Sequence, residues 1–167
     1  MLFRSDAMGR AQVYPSHPGG AAGALVEVDP DTGQVRVEKI WMVSDHGVIL
    51  NPVILPGQTK GAVVQQVGGT LYECLGYSAD GTPLANNLKD YGMPTVWAAP
   101  KIEVAHLVTP SPATKIGAKG AGEDGCIATS TVLMGAVENA LREFNVKVMD
   151  TQLFPAKVRA LIDAATA

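Results

Sequence analysis

Residues 117–125, "GAKGAGEDG", combine four glycines with two adjacent carboxylates. Glycines remove side chains and let another group approach the backbone closely. Three interpretations follow. Glu123 or Asp124 caps a helix that starts near residue 126. Alternatively, the glycine-rich backbone before that helix binds a phosphate, although its spacing matches neither GxGxxG nor GxxxxGK[ST]. In the third, Glu123 is a catalytic carboxylate at the mouth of a site. Local sequence favours the cap and leaves the other two open.

A β-hairpin is the clearest element of the chain before this stretch. Leu25, Val26 and Val28 precede the turn signal "DPDTG", and Val35 and Val37 alternate with charged residues after it. Alternation on both sides of a Pro/Asp/Gly cluster is typical of two paired strands. The preceding residues, 1–21, are rich in turn formers and are predicted to be an irregular lead-in.

A helix is predicted over residues 57–75, because Val63, Val67, Leu71 and Cys74 recur at helical spacing. Gly76 is expected to cap its C-terminus. Each glycine inside a helix costs up to ~1 kcal/mol relative to alanine. The glycines at 57, 61, 68 and 69 therefore indicate that backbone or a ligand lies tightly against this helix.

The remaining elements alternate between strands and helices. We expect a turn at Asp80-Gly81, a strand over 101–108, an amphipathic helix over 126–144 and a short strand within 145–153. A terminal helix is expected from Pro155 onward. The fold class predicted is α+β (mixed α/β), with residues 22–167 as the folded segment.

Composition excludes several function classes. The net charge of the 167 residues is −3, which argues against nucleic acid as a partner. No apolar run is long enough for a membrane span, and the N-terminal residues do not read as a signal peptide. The two cysteines form no CxxC pattern and the histidines at 17, 46 and 106 form no metal motif. We therefore expect a cytoplasmic protein that supplies no metal ligand, with the histidines in surface or packing positions.

Two longer stretches resemble the C-terminal part of the molybdopterin-binding (large) subunit of the molybdenum hydroxylase family. They are "DHGVILNPVILPGQTKGAVVQQVGGTLYE" and "PSPATKIGAKGAGEDG". The family includes xanthine dehydrogenase, aldehyde oxidoreductase and aerobic carbon monoxide dehydrogenase. The ordered patterns D-x-G-x-x-x-N-P, G-Q-x-x-G-x-x-x-Q and K-G-x-G-E carry the likeness, which spans about residues 22–164. The chain has His46 where many members have a small residue or a cysteine.

The resemblance implies a role for each matching residue. Glu123 is the general base that takes a proton from the attacking oxygen. Gln58 hydrogen-bonds the pterin of the cofactor, and Gln65 matches a second motif glutamine. Lys119 holds the loop, faces an anion or is simply exposed, and the backbone of Gly120, Ala121 and Gly122 shapes the site. In this interpretation the glycines let the chain approach cofactor and substrate, while Asp124 caps the helix.

The resemblance also implies a cofactor and partners. The cofactor is molybdenum–molybdopterin, expected in its cytosine dinucleotide form, and the substrate is a small organic or carbonyl molecule. The remaining half of the molybdopterin-binding subunit is the expected first partner. Iron–sulfur clusters and FAD would reside on other domains or subunits, and the isolated chain would be inactive. The alternatives are a non-catalytic structural subunit or degenerate remnant and, ranked last, a small phosphate-binding module.

Overall fold

The computed structural model describes Met8 and residues 16–166, which contain three strands and four α-helices. One sheet has the order β1 (Gly19–Val28), β2 (Val35–Asp45), β3 (Lys101–Leu107). The helices are α1 (Leu55–Leu71), α2 (Leu88–Tyr91), α3 (Asp124–Ala140) and α4 (Pro155–Thr166), with a 3-10 helix at Arg142–Phe144 after α3. The predicted α+β class is confirmed.

The predicted hairpin is formed by β1 and β2, which pair antiparallel. Its turn is closed by the Gly33 N–H, which donates to the Asp29 carbonyl at 2.8 Å. Gly33 has φ 72°, a left-handed conformation that glycine adopts without steric cost. The pairing skips Glu38, so Val37 and Ile40 both face the core although they are three positions apart.

The N-terminal boundary differs from the sequence prediction. Most of the expected irregular lead-in, residues 1–21, lies outside the described residues, but its last three residues already belong to β1. Gly20 is opposite Ser44 on β2. A Cβ on Gly20 would lie 2.7 Å from the Val43 carbonyl oxygen, so glycine allows this close pairing where its turn-forming tendency suggested a loop.

β2 and β3 run parallel, and this pairing determines where the loops that follow the two strands begin. Asp45, the last residue of β2, pairs with Leu107, the last residue of β3. A parallel pair requires a crossover between its strands, and here the crossover contains α1 and α2. Because the strands are parallel, the segments that follow them leave from the same edge of the sheet.

The core lies between the sheet and helices α1, α3 and α4. α1 and α3 pack directly on each other, and α3 also covers β1. Their close approach is made at Gly125, where a Cβ would lie 2.7 Å from the Thr59 carbonyl oxygen. The buried apolar side chains include Ile40, Val63, Val67, Leu71, Leu133, Val137, Leu141, Leu153, Val158 and Ile162.

Helix α1 is confirmed, but its predicted end is wrong. It begins at Leu55 and ends at Leu71, five residues before the Gly76 that was expected to cap it. The N–H groups of Tyr72 and Glu73 both donate to the Gly68 carbonyl, which closes the last turn. The expected close packing is present at Gly68, where a Cβ would overlap Glu73 and Pro94, whereas Gly57 and Gly61 have open space around them.

The short strand predicted within 145–153 is also wrong. Val146, Val148 and Leu153 are buried, which explains the alternating pattern, but no strand forms there. The Val148 N–H donates to the Glu138 carboxylate at 3.0 Å, and the Leu153 N–H donates to the Thr70 carbonyl at 2.8 Å. Helix ends therefore take the backbone bonds that a sheet edge would otherwise supply.

Candidate functional site

Two loops meet at the edge where β2 and β3 end. Residues 46–54 follow β2 and residues 108–123 follow β3. Gly47 and Ala118 form an antiparallel bridge. The Lys119 N–H donates to the His46 carbonyl at 2.8 Å, and the Val48 N–H donates to the Gly117 carbonyl at 3.0 Å. Residues 117–123, called the glycine loop below, are thus attached to the residues directly after β2.

Two glycines in left-handed conformations make this attachment possible. Gly47 has φ 63° and Gly117 has φ 73°. A Cβ on Gly47 would lie 2.2 Å from the Gly117 carbonyl oxygen, and a Cβ on Gly117 would lie 3.0 Å from Val48 Cγ2. Both the backbone conformation and the available space therefore require glycine at these positions.

A cleft of about 180 Å³ opens between the two loops and the start of α1. Three of the residues singled out by the sequence, Gln58, Lys119 and Ala121, line it. The rest of the lining is His46, Val48, Ile49, Leu50, Asn51, Ile54, Leu55 and Ala118. A largely apolar wall with a few polar groups is typical of a small-molecule site.

Gln58 is exposed on the second turn of α1. The chain entering this helix is held by the Asn51 side chain, whose oxygen accepts the Val53 N–H at 2.9 Å and the Ile54 N–H at 3.2 Å. Because the helix start is fixed in this way, the amide of Gln58 is presented at the cleft with one donor group and one acceptor.

Lys119 lines the cleft, but its ammonium group forms an ion pair with Asp45. Its Nζ lies 3.3 Å from Asp45 Oδ1, and both side chains are largely buried. The same carboxylate oxygen accepts the N–H groups of Gly47 at 2.9 Å and Thr109 at 3.0 Å. The Thr109 hydroxyl, these two amides and Lys119 hold the pKa of the Asp45 carboxyl well below its usual range. Asp45 and Lys119 therefore tie both loops to the end of β2.

Glu123 occupies the N-cap position of α3 and is exposed. Its side chain makes no capping hydrogen bond, and it lies two residues beyond Ala121 in the cleft wall. Gly120 and Gly122 are also exposed, and a Cβ on either would meet no atom within 4 Å. Nothing within the described chain requires glycine at these two positions, in contrast to Gly117.

Gln65 is not brought to the cleft. It is exposed on α1 two turns beyond Gln58, and it is absent from the residues that line the cavity. Seven residues along a helix correspond to a displacement of about 10 Å. The structure thus separates the two motif glutamines.

The expected capping role of Asp124 is wrong. α3 begins at Asp124 itself, and its side chain does not bond to the helix N–H groups but is buried against the sheet. Asp124 Oδ2 lies 3.2 Å from His46 Nε2. The negative charge is still favoured at this end of the helix by the helix dipole, but its partner is a residue that the sequence did not connect with it.

His46 is the site residue that sequence reasoning missed. Its side chain is 2% exposed, and its Nδ1 lies 3.0 Å from the Gly120 carbonyl oxygen. The ring of His106, the second-last residue of β3, is centred 5.3 Å away. The position of His46 directly after the alternating residues of β2 was the sequence signal that could have identified it. Among the described residues, no three His, Cys, Asp or Glu side chains are placed to hold a metal ion.

Comparisons with known proteins identify the family of this chain. The sequence model of the molybdopterin cofactor-binding domain matches residues 3–100. The large subunit of nicotine 6-hydroxylase from Paenarthrobacter nicotinovorans is 40% identical over 86% of this chain and 18% of its own length. The carbon monoxide dehydrogenase large chain from Hydrogenophaga pseudoflava is 32% identical over 81% of this chain and 17% of its own length.

Solved structures show the same likeness in three dimensions. Quinoline 2-oxidoreductase from Pseudomonas putida 86 superposes with a TM-score of 0.83 at 34% identity, over 87% of this chain and 19% of that one. The chain therefore spans about a fifth of the length of the relatives it matches. It belongs to the molybdopterin cofactor-binding domain of the molybdenum hydroxylase family.

Proposed function

We propose that this chain supplies one wall of the molybdenum-cofactor site and the catalytic base of a molybdenum hydroxylase. The observation that carries the proposal is the attachment of the glycine loop to the residues after β2. It places Ala121, two residues before Glu123, in the same cleft as Gln58. Family membership gives this arrangement its chemical context.

The residues of the cleft fit a pterin-type cofactor. The exposed amide of Gln58 offers the donor and acceptor that a pterin edge requires. The backbone of Gly120, Ala121 and Gly122 is open, with no neighbouring atom where a Cβ would stand at either glycine. The volume of about 180 Å³ is below the ~300–1,000 Å³ of complete small-molecule pockets. This chain would therefore form only part of the enclosure.

Glu123 is the general base in this proposal. When bound, the molybdenum cofactor supplies the oxidising centre that accepts two electrons from the substrate. The Glu123 carboxylate accepts a proton from the oxygen nucleophile that attacks the substrate carbon, a contribution of typically ~10²–10⁴ in rate. Its exposed position, without a capping bond, leaves both oxygens available for that transfer.

The other residues have supporting roles. Lys119 holds the loop through Asp45, which favours that role over binding of an anion. Gln65 lies about 10 Å along α1 from Gln58 and would contact the cofactor only at a part beyond the pterin end bound by Gln58. A cytosine dinucleotide form of the cofactor, which is longer than the bare pterin, would give such a contact.

Exposed apolar side chains support a macromolecular partner. Trp97 is 94% exposed, Met149 88%, Val53 85% and Val96 81%. Aromatic and methionine side chains are enriched at protein–protein interfaces. We assign them to the remaining part of the molybdopterin-binding subunit, with iron–sulfur and flavin subunits completing electron transfer. Without that remainder the chain would be inactive.

The relatives indicate the substrate class to test first. The names of the nicotine and quinoline enzymes favour an N-heteroaromatic compound. Carbon monoxide and hypoxanthine, from the names of other relatives, are the comparison substrates. Hydroxylation of a ring carbon beside nitrogen suits this mechanism because such a carbon is electron-poor.

The compartment proposed is the cytoplasm. Cys74 and Cys126 are both free thiols, which is typical of proteins in a reducing environment. Within residues 16–166, no helix has the length and apolar character needed to cross a bilayer.

The experiment that tests the proposal is Glu123→Gln in the assembled enzyme. Turnover of nicotine, quinoline, hypoxanthine and carbon monoxide is measured with an artificial electron acceptor, together with molybdenum content. Glu143→Gln, the same chemical change at an exposed position, is the matched control. We expect Glu123→Gln to lose at least about 100-fold in turnover per molybdenum, while the control keeps wild-type activity.

Two outcomes would contradict the proposal in different ways. Unchanged turnover per molybdenum in Glu123→Gln would remove Glu123 as the base. A purified complex without molybdenum or activity towards any of the four substrates would favour the non-catalytic structural subunit or remnant. Native mass spectrometry of the wild-type complex identifies the partner in either case.

A further inference from the structure

His46 and Asp124 form a buried polar pair at the edge where the two loops meet. Their side chains are 2% and 6% exposed. His46 comes directly after β2, and Asp124 is the first residue of α3. Nε2 and Oδ2 are 3.2 Å apart, but neither atom makes a well-aligned hydrogen bond with any group among the described residues.

Hydrogen-bond chemistry determines how many protons this pair carries. Gly120 presents a carbonyl oxygen, which only accepts, so Nδ1 of His46 must be the donor in that 3.0 Å contact. A neutral imidazole would then point the lone pair of Nε2 at a carboxylate oxygen. Two acceptors facing each other at 3.2 Å would repel, whereas a proton shared between Nε2 and the carboxylate makes the contact attractive.

Helix α3 and His106 form the electrostatic surroundings of the pair. The N-terminal end of α3 stabilises negative charge on Asp124. His106, whose ring is 5.3 Å from that of His46, has a pKa lowered by burial and by His46, against an opposing effect of Asp124. The Asp45–Lys119 pair at the loop base is already neutralised.

We propose that His46 and Asp124 are positioning residues that fix the glycine loop and the base it presents. The imidazole joins the carbonyl of Gly120 to the first residue of α3, and Glu123 lies between those two attachment points. The hydrogen bond to Gly120 holds the loop three residues before Glu123, and the 3.2 Å contact with Asp124 holds the chain one residue after it. The pair thereby sets where the Glu123 carboxylate stands relative to the cleft.

This inference rests on the proposed function of Glu123, and its test uses the assembled enzyme. The variants are His46→Ala, His46→Gln and Asp124→Asn, with His106→Gln as the matched control. Glutamine at 46 can still donate to Asp124, and asparagine at 124 can still donate to a neutral His46. Two measurements are made on each, namely hydrogen–deuterium exchange of the amides of residues 117–127 and turnover per molybdenum.

We expect His46→Ala to raise amide exchange in residues 117–127 by at least about tenfold. A misplacement of about 1 Å costs on the order of 100-fold in rate, so kcat per molybdenum should fall by roughly 10–100-fold while KM changes less than about threefold. His46→Gln and Asp124→Asn should recover part of both losses. His106→Gln should resemble wild type in both measurements.

Several results would overturn the positioning role. One is unchanged amide exchange and kcat per molybdenum in His46→Ala. Another is a loss of molybdenum content that accounts for the whole loss of activity, since that would be a purely structural effect. If His46→Ala does not assemble, His46→Gln and Asp124→Asn carry the test, and wild-type behaviour of both would refute it. Glu123→Gln separates the two proposals: if it stays active while exchange rises in His46→Ala, the base assignment fails and the loop attachment stands.

Discussion

Gly125→Ala is the substitution that most directly tests the contact between α1 and α3. Helix α1 carries Gln58, and helix α3 begins directly after Glu123. A Cβ at this position would lie 2.7 Å from the Thr59 carbonyl oxygen, 2.9 Å from Ala62 Cβ and 3.0 Å from the Val63 nitrogen. Two of these three atoms are helix backbone, which cannot move aside by a change of rotamer. The helices must therefore separate.

The expected change in the free energy of unfolding combines two opposing effects. Alanine is favoured over glycine within a helix by up to ~1 kcal/mol. An added methyl group in a filled core costs ~1–3 kcal/mol. We expect Gly125→Ala to lower the free energy of unfolding by about 1–2 kcal/mol. Gly135→Ala is the matched control on the same helix, because a Cβ there meets nothing within 4 Å, and it should gain about 0.5–1 kcal/mol.

Urea unfolding of the chain followed by circular dichroism measures both variants against wild type. The slope of free energy against urea should stay constant, so that the midpoints alone report stability. The sign of the effect should differ between the two variants. If Gly125→Ala is as stable as Gly135→Ala, the close crossing of α1 and α3 is wrong, and with it the placement of Gln58 beside the glycine loop.

Three further perturbations follow from the same contacts. Gly117→Ala should lower the free energy of unfolding by about 1–2 kcal/mol because residue 117 has a left-handed backbone. Gly120→Ala should leave the free energy of unfolding unchanged and reduce the molybdenum content of the assembled enzyme. Equal losses of stability in the two variants would contradict this prediction. Leu133→Ala, at a fully buried position, should cost about 2–5 kcal/mol in urea unfolding, and a loss below 1 kcal/mol would place Leu133 outside the core. Asp45→Asn should lower the melting temperature at pH 7. Because the folded pKa of Asp45 is depressed, its stabilisation is complete above the unfolded pKa of about 3.9 and is lost as the pH falls through the folded value. The difference in melting temperature from wild type should therefore shrink below about pH 4, and a difference that grows there would refute the sign.

Elements with a local cause could be predicted from the sequence. The hairpin was predictable because the turn residues and the alternation lie within a few positions of each other, and Gly33 adopts the left-handed conformation that the turn requires. The apolar stripe of α3 was equally local, with Leu133 and Val137 in the core. The boundaries failed where a distant group decided them. Val146 and Val148 alternate like strand residues, but the backbone N–H groups of Val148 and Leu153 bond to groups near the ends of α3 and α1.

The charged residues of the site show a different limit. Local rules assigned Asp124 to a cap because an acidic residue at a helix start commonly has that role. The structure turns its side chain towards His46, 78 positions earlier in the chain. No periodicity connects the two residues. Local sequence left a catalytic Glu123 as one of three interpretations. Resemblance to a family supplied the roles of Glu123 and Gln58, and both roles stay predictions.

The parallel pairing of β2 and β3 explains why the site could not be assembled from sequence patterns alone. The motif around Asn51 and Gln58 and the motif around Glu123 are more than 60 residues apart, and either strand could have paired with a different neighbour. Because Asp45 pairs with Leu107 at the end of both strands, the two loops leave the same edge, where ligands bind in open sheets with parallel strands. Two residues beyond that last pair of β2, Gly47 bridges Ala118. The register of one strand pair thus brings the segment that leads to Gln58 and the loop that leads to Glu123 to the same edge of the sheet.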